Sequence, residues 1–519
     1  MNQKNEQFLR FASKIIHTAI RFSIKPKPMS HILCVPDAIP KDKSASSSCI
    51  SLKLMLSRGL IKHVYPGVFI LMPIAVRSLE KLCNIVDAIM NTVSGQKVSF
   101  PTLTPESLMQ ISGRWEGNDN LFKLKDRHST YHCLAATHEE IATNFVSRLH
   151  VSYKNLPLRV YQISSKFRDE MNPKLGLLRG KEFLMKVKGS SGDIGGKSSH
   201  EFHFISDVGE DELLYCPKCR NGINGELYEG KTIVCEACNI SYEKCNGIEV
   251  GHAFLLGTTY SKPFQAKFGS SENVTEILQM GCYGLGLSRI LAASVECLSK
   301  DDSIRWPFLI APFYVSVIPP KKGSKEEYVQ ALAYSLAESL TKISWLKSNI
   351  IIDDRTNFTI GKRINEASSL GIPYVVVVSK RAQEDIPILE IIDVYNDKTF
   401  FLSHKETISF FRDKTLTCGL IKKGMCDNIQ PLIIKFVCWF LTENTKMKKQ
   451  KINLKFCFKL SKTPKESYVM LVCVHEDQAL SMKCVYKWFA FFERADKVFL
   501  TKSIVEDQRL LSVKKTLRK

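Results

Sequence analysis

The chain has 519 residues, 44% of them hydrophobic, and a formal net charge of +21, so its length excludes one domain of ordinary size and its apolar content excludes a disordered chain. We expect no membrane insertion, because even the apolar run at 431–441 is short and carries Lys435. The positive charge predicts a polyanionic partner, most often a nucleic acid, with a solvated basic surface as the alternative.

The first thirty residues form a basic segment with six Lys or Arg and a single acidic residue. On a helix, its basic residues, such as Arg10 and Lys14, fall on one face and its apolar residues on another. This pattern is typical of a mitochondrial transit peptide, so we expect a leader over residues 1–30 and a location in the mitochondrial matrix. An ordinary surface helix is the alternative, but Pro26 and Pro28 end the pattern before a core begins.

Two regions of different pattern follow the leader. From Ser51 to Trp306 we expect a short helix, then a turn, a strand and a long amphipathic helix within 65–93, a strand that ends at Pro101, and further strands and helices. Over 313–411, short apolar strands alternate with helical stretches, which is typical of a compact α/β domain. The basic tail, 413–519, holds 22 Lys or Arg against 10 Asp or Glu, so a surplus of 12 positive charges lies there.

Lys166–Lys186, "KFRDEMNPKLGLLRGKEFLMK", groups charged residues and one aromatic ring around a Pro/Gly turn. The guanidinium groups of Arg168 and Arg179 are fixed planar donors that suit a triphosphate. Phe183 can stack on a purine, and Glu170 can accept a hydrogen bond from its exocyclic amine. If the strands are regular, these residues are spaced to share faces, and the hairpin presents all four to one ligand. A surface hairpin with incidental ion pairs is the alternative.

Two other segments carry candidate binding groups. In 281–291, "GCYGLGLSRIL", the glycines allow a ligand close to the backbone, and Arg289 is expected at the start of a helix. In "AATHEEIATNF", Thr137, His138 and Glu139 could meet an ammonium group. For the glycine-rich segment, tight packing of a helix against a strand is the alternative.

Four cysteines stand in the spacing C-x2-C-x15-C-x2-C: Cys216, Cys219, Cys235 and Cys238. Thiolates at this spacing can share one tetrahedral ion, so we predict a structural Zn²⁺ site, with a metal-free loop as the alternative. Four thiolates leave no open position on the ion, which argues against a catalytic role. The 17 cysteines of the chain are otherwise scattered, which favours reduced thiols over a disulfide framework.

The order of three segments resembles that of a class II aminoacyl-tRNA synthetase. Residues near 97–105 are similar to motif 1, 166–186 to motif 2 and 281–291 to motif 3. The resemblance narrows to the prolyl-tRNA synthetases, in their mitochondrial form, on "SGRW", "LKDRH", "THEE", "SHEF", "GIEVGHAFLLGTTYS" and "IIIDDRTNFTIGKRI". It covers roughly residues 50–411.

This resemblance implies a fold, a reaction and partners. The expected fold is an α+β catalytic domain with an antiparallel sheet and helices over 50–310, then an α/β anticodon-binding domain over 311–411, then a small helical tail over 412–519. The implied enzyme is a proline–tRNA ligase that uses ATP and Mg²⁺ to form prolyl-adenylate and passes proline to tRNA(Pro). A homodimer through motif 1 is implied as well.

The resemblance also implies the roles of particular residues. It assigns the ATP contacts to Arg168, Glu170, Arg179, Phe183 and Arg289. It assigns the proline pocket to Thr137, Glu139, Arg168, His252 and Cys282. Attack of a carboxylate on the α-phosphate needs positioning and charge neutralisation more than a general base, so Arg168 and Arg289 are the expected catalytic residues.

Two features depart from the family pattern. Family members carry several tens of residues between motif 2 and "GDIGG", where this chain has only "VKGSS" at 187–191. The alternative to an active ligase is therefore a catalytically impaired, synthetase-like tRNA-binding protein. Residues 451–496 resemble the helix-turn-helix of mariner-type transposases, which leaves open a fused remnant or a gene-model artefact, a tRNA-holding appendage and a DNA-binding element.

Overall fold

The structure is a computed structural model that describes residues 25–37, 49–186, 198–218, 222–225, 234–235, 238–270 and 274–414. Except for Asp87–Gly95, these residues belong to one compact unit. The amphipathic helix predicted in the leader, the helix-turn-helix predicted in the tail and Cys219 lie outside the described ranges. Within those ranges, no helix combines the length and the apolarity that crossing a membrane requires.

Residues 49–310 form the first region, in which helices and strands are mixed as the sequence predicts. Its described helices are α1 (Ile50–Ser57), α2 (Pro73–Thr92), α3 (Glu106–Ile111), α4 (Glu139–Ser147) and α5 (Leu287–Leu298). Its first strands are β2 (Ile61–Tyr65), β3 (Val68–Leu71), β4 (Gln96–Lys97), β5 (Leu103–Pro105), β6 (Lys123–Lys125), β7 (Tyr131–Leu134), β8 (Val151–Ser152), β9 (Val160–Tyr161) and β10 (Ser164–Phe167). The others are β11 (Glu182–Lys186), β12 (Ser198–Ile205), β13 (Asp211–Tyr215), β14 (Gly222–Asn224), β15 (Glu243–Gly257), β16 (Lys267–Gly269), β17 (Thr275–Ile277) and β18 (Met280–Gly286).

An antiparallel sheet of seven strands organises this region. Its order is β10-β11-β18-β15-β13-β14, and β12 also pairs with β15. α5 packs against β11 and β15, and its buried residues Leu287, Ile290 and Leu291 recur at helical spacing. The glycine-rich strand β18 and the start of α5 therefore lie at the centre of the sheet.

The strand predicted to end at Pro101 is shorter than expected. β4 ends at Lys97, because only Gln96 and Lys97 pair in register with the short strand β9. Val98 still donates its N–H to the carbonyl of Tyr161 at 2.8 Å, but Pro101 has no N–H to extend such a ladder. The motif 1 segment thus divides into β4 and β5.

The short connection between β11 and β12, residues 187–197, joins strands that stand three places apart in the sheet. Through Leu285 and Gly251, Lys186 aligns with Phe202, four residues along the strand from Ser198. The strand spacing and rise put these two ends about 20 Å apart. The intervening residues can extend about 36 Å, so the connection is long enough without the longer family segment.

The second region, residues 313–414, has the α/β pattern that the sequence predicts. Its strands are β19 (Val315–Ile318), β20 (Ile350–Ile352), β21 (Tyr374–Val377), β22 (Ile388–Asp393) and β23 (Lys398–Ser403). Its described α-helices are α6 (Gln330–Thr341), α7 (Ile360–Ser369) and α8 (His404–Asp413). β19, β20 and β21 are parallel and buried along their whole length, as expected for apolar runs at the centre of a covered sheet.

One strand of this second sheet comes from the N-terminus. β1 (Lys27–Pro28) pairs in parallel with Ile351 and Ile352 at the edge of the sheet, and Ser30 donates its N–H to Asp354 Oδ1 at 2.9 Å. Further along, Asp37 donates its N–H to the carbonyl of Leu56 in the first region at 3.0 Å. Residues 25–37 therefore contact both regions, and the predicted leader, 1–30, ends inside this segment.

Helix α2 holds the junction between the two regions. Arg77 donates to the carbonyl oxygens of Pro312 and Ser348 and, at 3.1 Å, to Asn349 Oδ1. Lys81 lies over the ring of Tyr314, 3.9 Å from its centroid. Both cations are partly buried here. In the contacts just described, their partners are carbonyl groups, an amide oxygen and an aromatic ring.

Candidate active site

One buried cluster, which we call the pocket, gathers residues from the start of α4 and from β18. Thr137 and Glu139 are both buried, and Glu139 is the first residue of α4. Cys282 of β18 donates its S–H to Glu139 Oε1 at 3.1 Å. Behind Cys282 lies an apolar cluster that includes Phe254 and Tyr260. The pocket thus offers one carboxylate and one hydroxyl beside an apolar wall.

Arg114 connects the polar groups of this pocket. Its Nη1 lies 3.0 Å from Thr137 Oγ1, 3.0 Å from Glu140 Oε1 and 3.5 Å from Glu139 Oε2. The hydroxyl of Tyr260 is 3.5 Å away on the other side. Burial opposes the charge of Arg114, but the carboxylates of Glu140 and Glu139 outweigh it and raise the pKa of the guanidinium above its usual value.

Glu140, the second glutamate of "THEE", is buried and shares Arg114 with Glu139. It accepts hydrogen bonds from Arg114 and, at 2.8 Å, from the hydroxyl of Ser112. Burial raises the pKa of Glu140, an effect that the neighbouring guanidinium partly offsets. Two adjacent carboxylates therefore share one arginine.

Lys166 and His138 are further buried titratable groups near Glu139. Lys166 is fully buried and donates to Ser164 and, at 3.4 Å, to the carbonyl of Ser165. Burial lowers the pKa of Lys166 to about 7, and the charge of Glu139 opposes that shift. Burial and the charge of Lys166 lower the pKa of His138 to about 4. His138 is therefore neutral at physiological pH, whereas Lys166 titrates there.

His252 links the pocket to a set of charged groups on β15. Its ring stacks on Phe254 with centroids 4.0 Å apart, and its Nδ1 lies 3.0 Å from Glu249 Oε1. Arg289 of α5 reaches the other carboxylate oxygen of Glu249 at 3.3 Å. Burial alone would raise the pKa of Glu249, but the hydrogen bond from His252 and the charge of Arg289 lower it to about 2.

The two catalytic arginines predicted from the sequence meet over one ring. The guanidinium carbons of Arg168 and Arg289 lie 5.1 Å and 6.0 Å from the centroid of Phe183. The β10–β11 register places Phe183 opposite Lys166, and Arg168 follows directly after β10. Burial and the charge of Arg289 lower the pKa of Arg168 from its usual value.

The prediction that the residues of 166–186 share strand faces is wrong, because three of them lie beyond the regular strands. β10 ends at Phe167 and β11 begins at Glu182, so Arg168, Glu170 and Arg179 stand in the connection. The long side chains of Arg179 and Glu170 meet across this connection instead. Arg179 Nη2 lies 3.0 Å from Glu170 Oε2, and its Nη1 lies 3.0 Å from Glu210 Oε2.

Glu210 is a second partner of this connection. It pairs with Lys174 at 2.7 Å as well as with Arg179. Burial would raise the pKa of Glu210, but the hydrogen bond from Lys174 and the charge of Arg179 hold it below its usual value. Two carboxylates therefore occupy the donors of Arg179.

Three of the four predicted metal ligands lie together. Cys216, Cys235 and Cys238 have sulfur atoms within 4.8 Å of one another. Cys216 follows β13 and is fully buried, and Cys235 is buried as well. The N–H of Cys238 and the N–H of Asn239 both point at the carbonyl of Cys235, at 3.2 and 2.8 Å, which forms a tight turn. Cys219 lies outside the described residues.

Sequence reasoning missed Arg114, Glu140, Glu249 and Glu210 as members of the site. Arg114, Glu140 and Glu249 lie in "SGRW", "THEE" and "GIEVGH", segments that carried the family resemblance, but no role was assigned to them. Their contacts are long-range: Arg114 and Thr137 are 23 residues apart, and Arg179 and Glu210 are 31 apart. No local spacing could have indicated these pairs.

Two protein-family models match the chain. The tRNA synthetase class II core domain (G, H, P, S and T) matches residues 122–297. The anticodon binding domain matches residues 314–414. Together with the two sheets, these matches confirm the predicted fold class of a class II catalytic domain followed by an anticodon-binding domain.

Several curated proteins are similar in sequence over most of their length. "Probable proline–tRNA ligase, mitochondrial" of Rattus norvegicus is 40% identical over 401 residues, which are 70% of this chain and 84% of that protein. The protein of the same name from Schizosaccharomyces pombe is 35% identical over 381 residues, 66% of this chain and 88% of that protein. "Proline–tRNA ligase" of Wolbachia sp. subsp. Brugia malayi is 32% identical over 424 residues, 72% of this chain and 97% of that protein.

Solved structures share the fold. The Giardia lamblia prolyl-tRNA synthetase in complex with prolyl-adenylate has a TM-score of 0.53 at 16% identity, over 69% of this chain and 73% of that one. The Cryptosporidium parvum prolyl-tRNA synthetase complexed with L-proline and AMP has a TM-score of 0.52 at 16% identity, over 73% of this chain and 78% of that one.

Proposed function

The chain belongs to the prolyl-tRNA synthetases, and from this premise we propose how its own residues activate proline and charge tRNA. The protein is a proline–tRNA ligase of class II that resembles the mitochondrial members of the family. The observation that carries the proposal is the position of the Thr137–Glu139–Cys282 pocket near the arginines that flank Phe183. The relatives favour this activity over an impaired tRNA-binding protein.

Proline binds in the pocket at the start of α4. Its ring ammonium lies against Glu139 and Thr137, and the apolar cluster behind Cys282 accommodates the ring methylenes. His252, held by Glu249 and stacked on Phe254, closes the pocket from β15. Arg168 faces the proline carboxylate and keeps it near the nucleotide.

ATP binds along the hairpin connection, with adenine against the ring of Phe183. Glu170 accepts from the adenine amine, Arg168 contacts the α-phosphate, and Arg179 and Arg289 hold the terminal phosphates. Fixed guanidinium groups suit this task because each offers paired donors to phosphate oxygens. Their carboxylate partners in the present structure must then yield to the phosphates.

The reaction follows from this arrangement in two transfers. A proline carboxylate oxygen attacks the α-phosphorus, the bond to the β-phosphate oxygen breaks, and prolyl-adenylate and pyrophosphate form. A ribose hydroxyl at the 3′ end of tRNA(Pro) then attacks the proline carbonyl, and AMP leaves. Arg168 acts by stabilising charge at the α-phosphate and by aligning the nucleophile, so no general base is needed in the first transfer.

Mg²⁺ fits the carboxylates beside the clamp. Glu201 Oε1 and Glu249 Oε1 lie 3.8 and 3.0 Å from the same nitrogen of His252, so their side chains approach one another. The pKa of each carboxyl is lowered, so both offer the ionised oxygen ligands that Mg²⁺ prefers. Glu201 and Glu249 would hold the ion, which would supply charge neutralisation at the pyrophosphate leaving group.

Zn²⁺ fits the thiol cluster of Cys216, Cys235 and Cys238, with Cys219 as the fourth ligand by sequence spacing. Zinc binds thiolate sulfur tetrahedrally, and a closed set of four has a structural role. The metal content of protein purified without chelator tests this assignment. We expect about one zinc per chain, lost in Cys235→Ser. Zinc-free protein with reduced thiols would overturn it.

The second region contacts tRNA, the chain works in mitochondria, and the active form is a homodimer. An anticodon-binding domain and relatives named as mitochondrial support the first two statements.

For the matrix location, we propose that leader removal stops before Lys27, because a cut after residue 30 would remove β1 from its sheet. Mass spectrometry of protein recovered from mitochondria reads the mature N-terminus directly.

Proline-dependent exchange of pyrophosphate with ATP tests the activity. We expect exchange with proline and no exchange with alanine, and charging of tRNA(Pro) by the same preparation. Charging also tests the second region, since exchange needs no tRNA. An intact, folded chain that binds tRNA(Pro) but supports no exchange would instead be the impaired protein. Light scattering of the purified chain measures the dimer.

A further inference from the structure

Residues 25–37, which we call the strap, are attached to both regions of the chain. Near the start of the strap, β1 pairs with Ile351 and Ile352 of β20. Ser30 then donates its N–H and its hydroxyl to the two carboxylate oxygens of Asp354, at 2.9 and 2.5 Å. Without β1, β20 would be an edge strand with unpaired backbone groups. The second region thus holds the strap by strand pairing and by one carboxylate.

The other end of the strap is attached to the first region. Asp37 donates its N–H to the carbonyl of Leu56 at 3.0 Å, and its carboxylate accepts the N–H of His63 at 3.1 Å. A Cβ atom on Gly59 would lie 2.8 Å from the backbone of Val35, so only glycine lets the strap pass this closely. The first region therefore fixes both the end of the strap and its path.

Between these two ends, the strap buries little apolar surface. Met29 is its one buried residue, whereas Leu33 is 60% exposed. A cavity of about 590 Å³ is lined by Ile32 of the strap and by Arg77 of α2, among others. Because burial contributes little along this stretch, the contacts at the two ends supply most of the attachment.

The strap is a second attachment of β20 to the first region, in addition to α2. Arg77 of α2 donates to Ser348 and Asn349, just before β20 begins. The strap pairs with β20 itself and binds Asp354, just after the strand ends. Regions of one chain usually move relative to one another unless their interface is large and apolar. Two attachments at opposite ends of one strand oppose a rotation that a single attachment would permit.

This attachment bears on only one of the two transfers of the proposed reaction. Charging requires one tRNA molecule to contact the second region and to present its 3′ end at the proline pocket. Rotation of the second region leaves fewer orientations in which both contacts form, so the effective concentration of the 3′ end at the pocket falls. Formation of prolyl-adenylate involves no such alignment.

We propose that the strap is a positioning element for tRNA: it fixes the orientation of the second region for charging and takes no part in the activation of proline. The inference rests on the proposed ligase activity. It goes beyond that activity by assigning an N-terminal segment of the chain to the second transfer.

The first test replaces residues 27–37 of the full chain by a Gly/Ser sequence of equal length. We expect kcat/KM for charging of tRNA(Pro) to fall about 10- to 100-fold, because the two contacts of the RNA are then less well aligned. Proline-dependent pyrophosphate exchange should stay within about twofold of the parent chain, since it needs no tRNA. Unchanged charging, or equal losses of charging and exchange, would overturn the proposal.

A point variant tests the attachment at the second region. Asp354→Ala removes both hydrogen bonds to Ser30, so charging should fall about fivefold, a modest loss because the pair is exposed. Asp354→Asn keeps an acceptor for the N–H of Ser30 and offers an amide donor to its hydroxyl, so it should charge normally. Asp413→Ala, which changes an exposed aspartate at the end of α8, is the matched control.

Binding of an anticodon stem-loop separates orientation from unfolding of the second region. An RNA hairpin with the anticodon loop of tRNA(Pro) contacts only that region, so its Kd for the full-length strap variant should match that of the parent chain. A loss of stem-loop binding in parallel with the loss of charging would show that the strap maintains the second region itself, and would overturn the proposal.

The parent chain distinguishes this inference from the function beneath it. If the parent chain supports no proline-dependent exchange, the proposed function fails. If the parent chain exchanges and charges, and the strap variant charges equally well, the proposed function stands and only the role of the strap fails.

Discussion

The proline pocket and the ATP clamp differ in how their charges are compensated. In the pocket, Glu139 and Glu140 are buried, and Arg114 and Cys282 contact them through short hydrogen bonds. In the clamp, Arg179 is about one-third exposed, and it pairs with Glu170 and Glu210 at the surface. The pocket is set for its ligand in advance, whereas the clamp has to exchange its own carboxylates for phosphates.

This difference follows from the cost of burying charge. A buried carboxylate without a partner is expensive, so the two carboxylates of the pocket need the fixed guanidinium of Arg114. A surface ion pair contributes little, so the partners of Arg179 can be displaced at small cost. Substitutions in the two sites should therefore change the exchange rate and the KM values by different amounts and, for Glu210, in the opposite direction.

Arg168→Ala should produce the largest effect, because Arg168 stands where both sites meet. Removal of one preorganised donor at the developing charge lowers the rate about 100- to 1,000-fold, and Arg168 is assigned to both substrates. The measurement is proline-dependent pyrophosphate exchange. Arg148→Ala, at the exposed end of α4, is the control and should exchange normally. Near-normal exchange by Arg168→Ala would show that Arg168 does not connect the proline pocket with the ATP clamp.

Glu139→Gln should come next, as a direct test of the preset pocket. Loss of the charged partner of the ring ammonium raises the KM for proline about 10- to 100-fold, while the KM for ATP stays within about twofold. Glu116→Gln changes an exposed glutamate near Arg114 and should alter neither constant. A parallel rise in both constants would mean that the pocket and the clamp are not separate.

The pH dependence of proline binding should be smaller. The pKa of Lys166 is lowered to about 7 by burial, so below that pH the lysine is protonated and its charge offsets that of Glu139. The KM for proline should therefore fall a few-fold as the pH rises from 6 to 8. His138 does not contribute, because its pKa is about 4. Lys166→Met should show a flat profile over the same range, and an unchanged slope would reject this role for Lys166.

Glu210→Gln should give the smallest effect, with the opposite sign. Removing a surface partner of Arg179 frees a phosphate donor, so the KM for ATP should fall about twofold, as the weakness of surface pairs predicts. Glu212→Gln is matched to it, because Glu212 lies two residues further along, on β13, and pairs with Lys244 at 3.1 Å. A higher KM for ATP in Glu210→Gln would show that the pair orients the clamp rather than occupying it.

Much of the fold was predictable from local pattern. The buried parallel strands β19 and β21 appear as apolar runs, and α1 ends next to Gly59, which adopts the left-handed conformation that favours glycine. The contact between Arg168 and Phe183 was also predictable, because both residues belong to the predicted hairpin 166–186. The predicted sharing of strand faces was wrong, because neither Arg168 nor Arg179 lies on a regular strand. Their long side chains reach their partners from the connection between β10 and β11.

The N-terminal strand β1 and the role of Arg114 were not predictable in this way. β1 has two residues, too few for a pattern, and its partners at 351 and 352 are more than 300 residues away. Arg114 follows a short helix and resembles an ordinary surface cation in the sequence. Only its burial and its contacts with two carboxylates and two hydroxyl groups distinguish it.

The order of residues therefore determined which elements form, since apolar spacing and glycine positions act over a few neighbours. It also determined which chemical groups stand in the motifs. The tertiary structure decided which of those charges are neutralised, because Cys282 meets Glu139 across 143 residues and Arg179 meets Glu210 across 31. A charge acquires its pKa and its function from burial and from partners, and both exist only after distant segments have packed together.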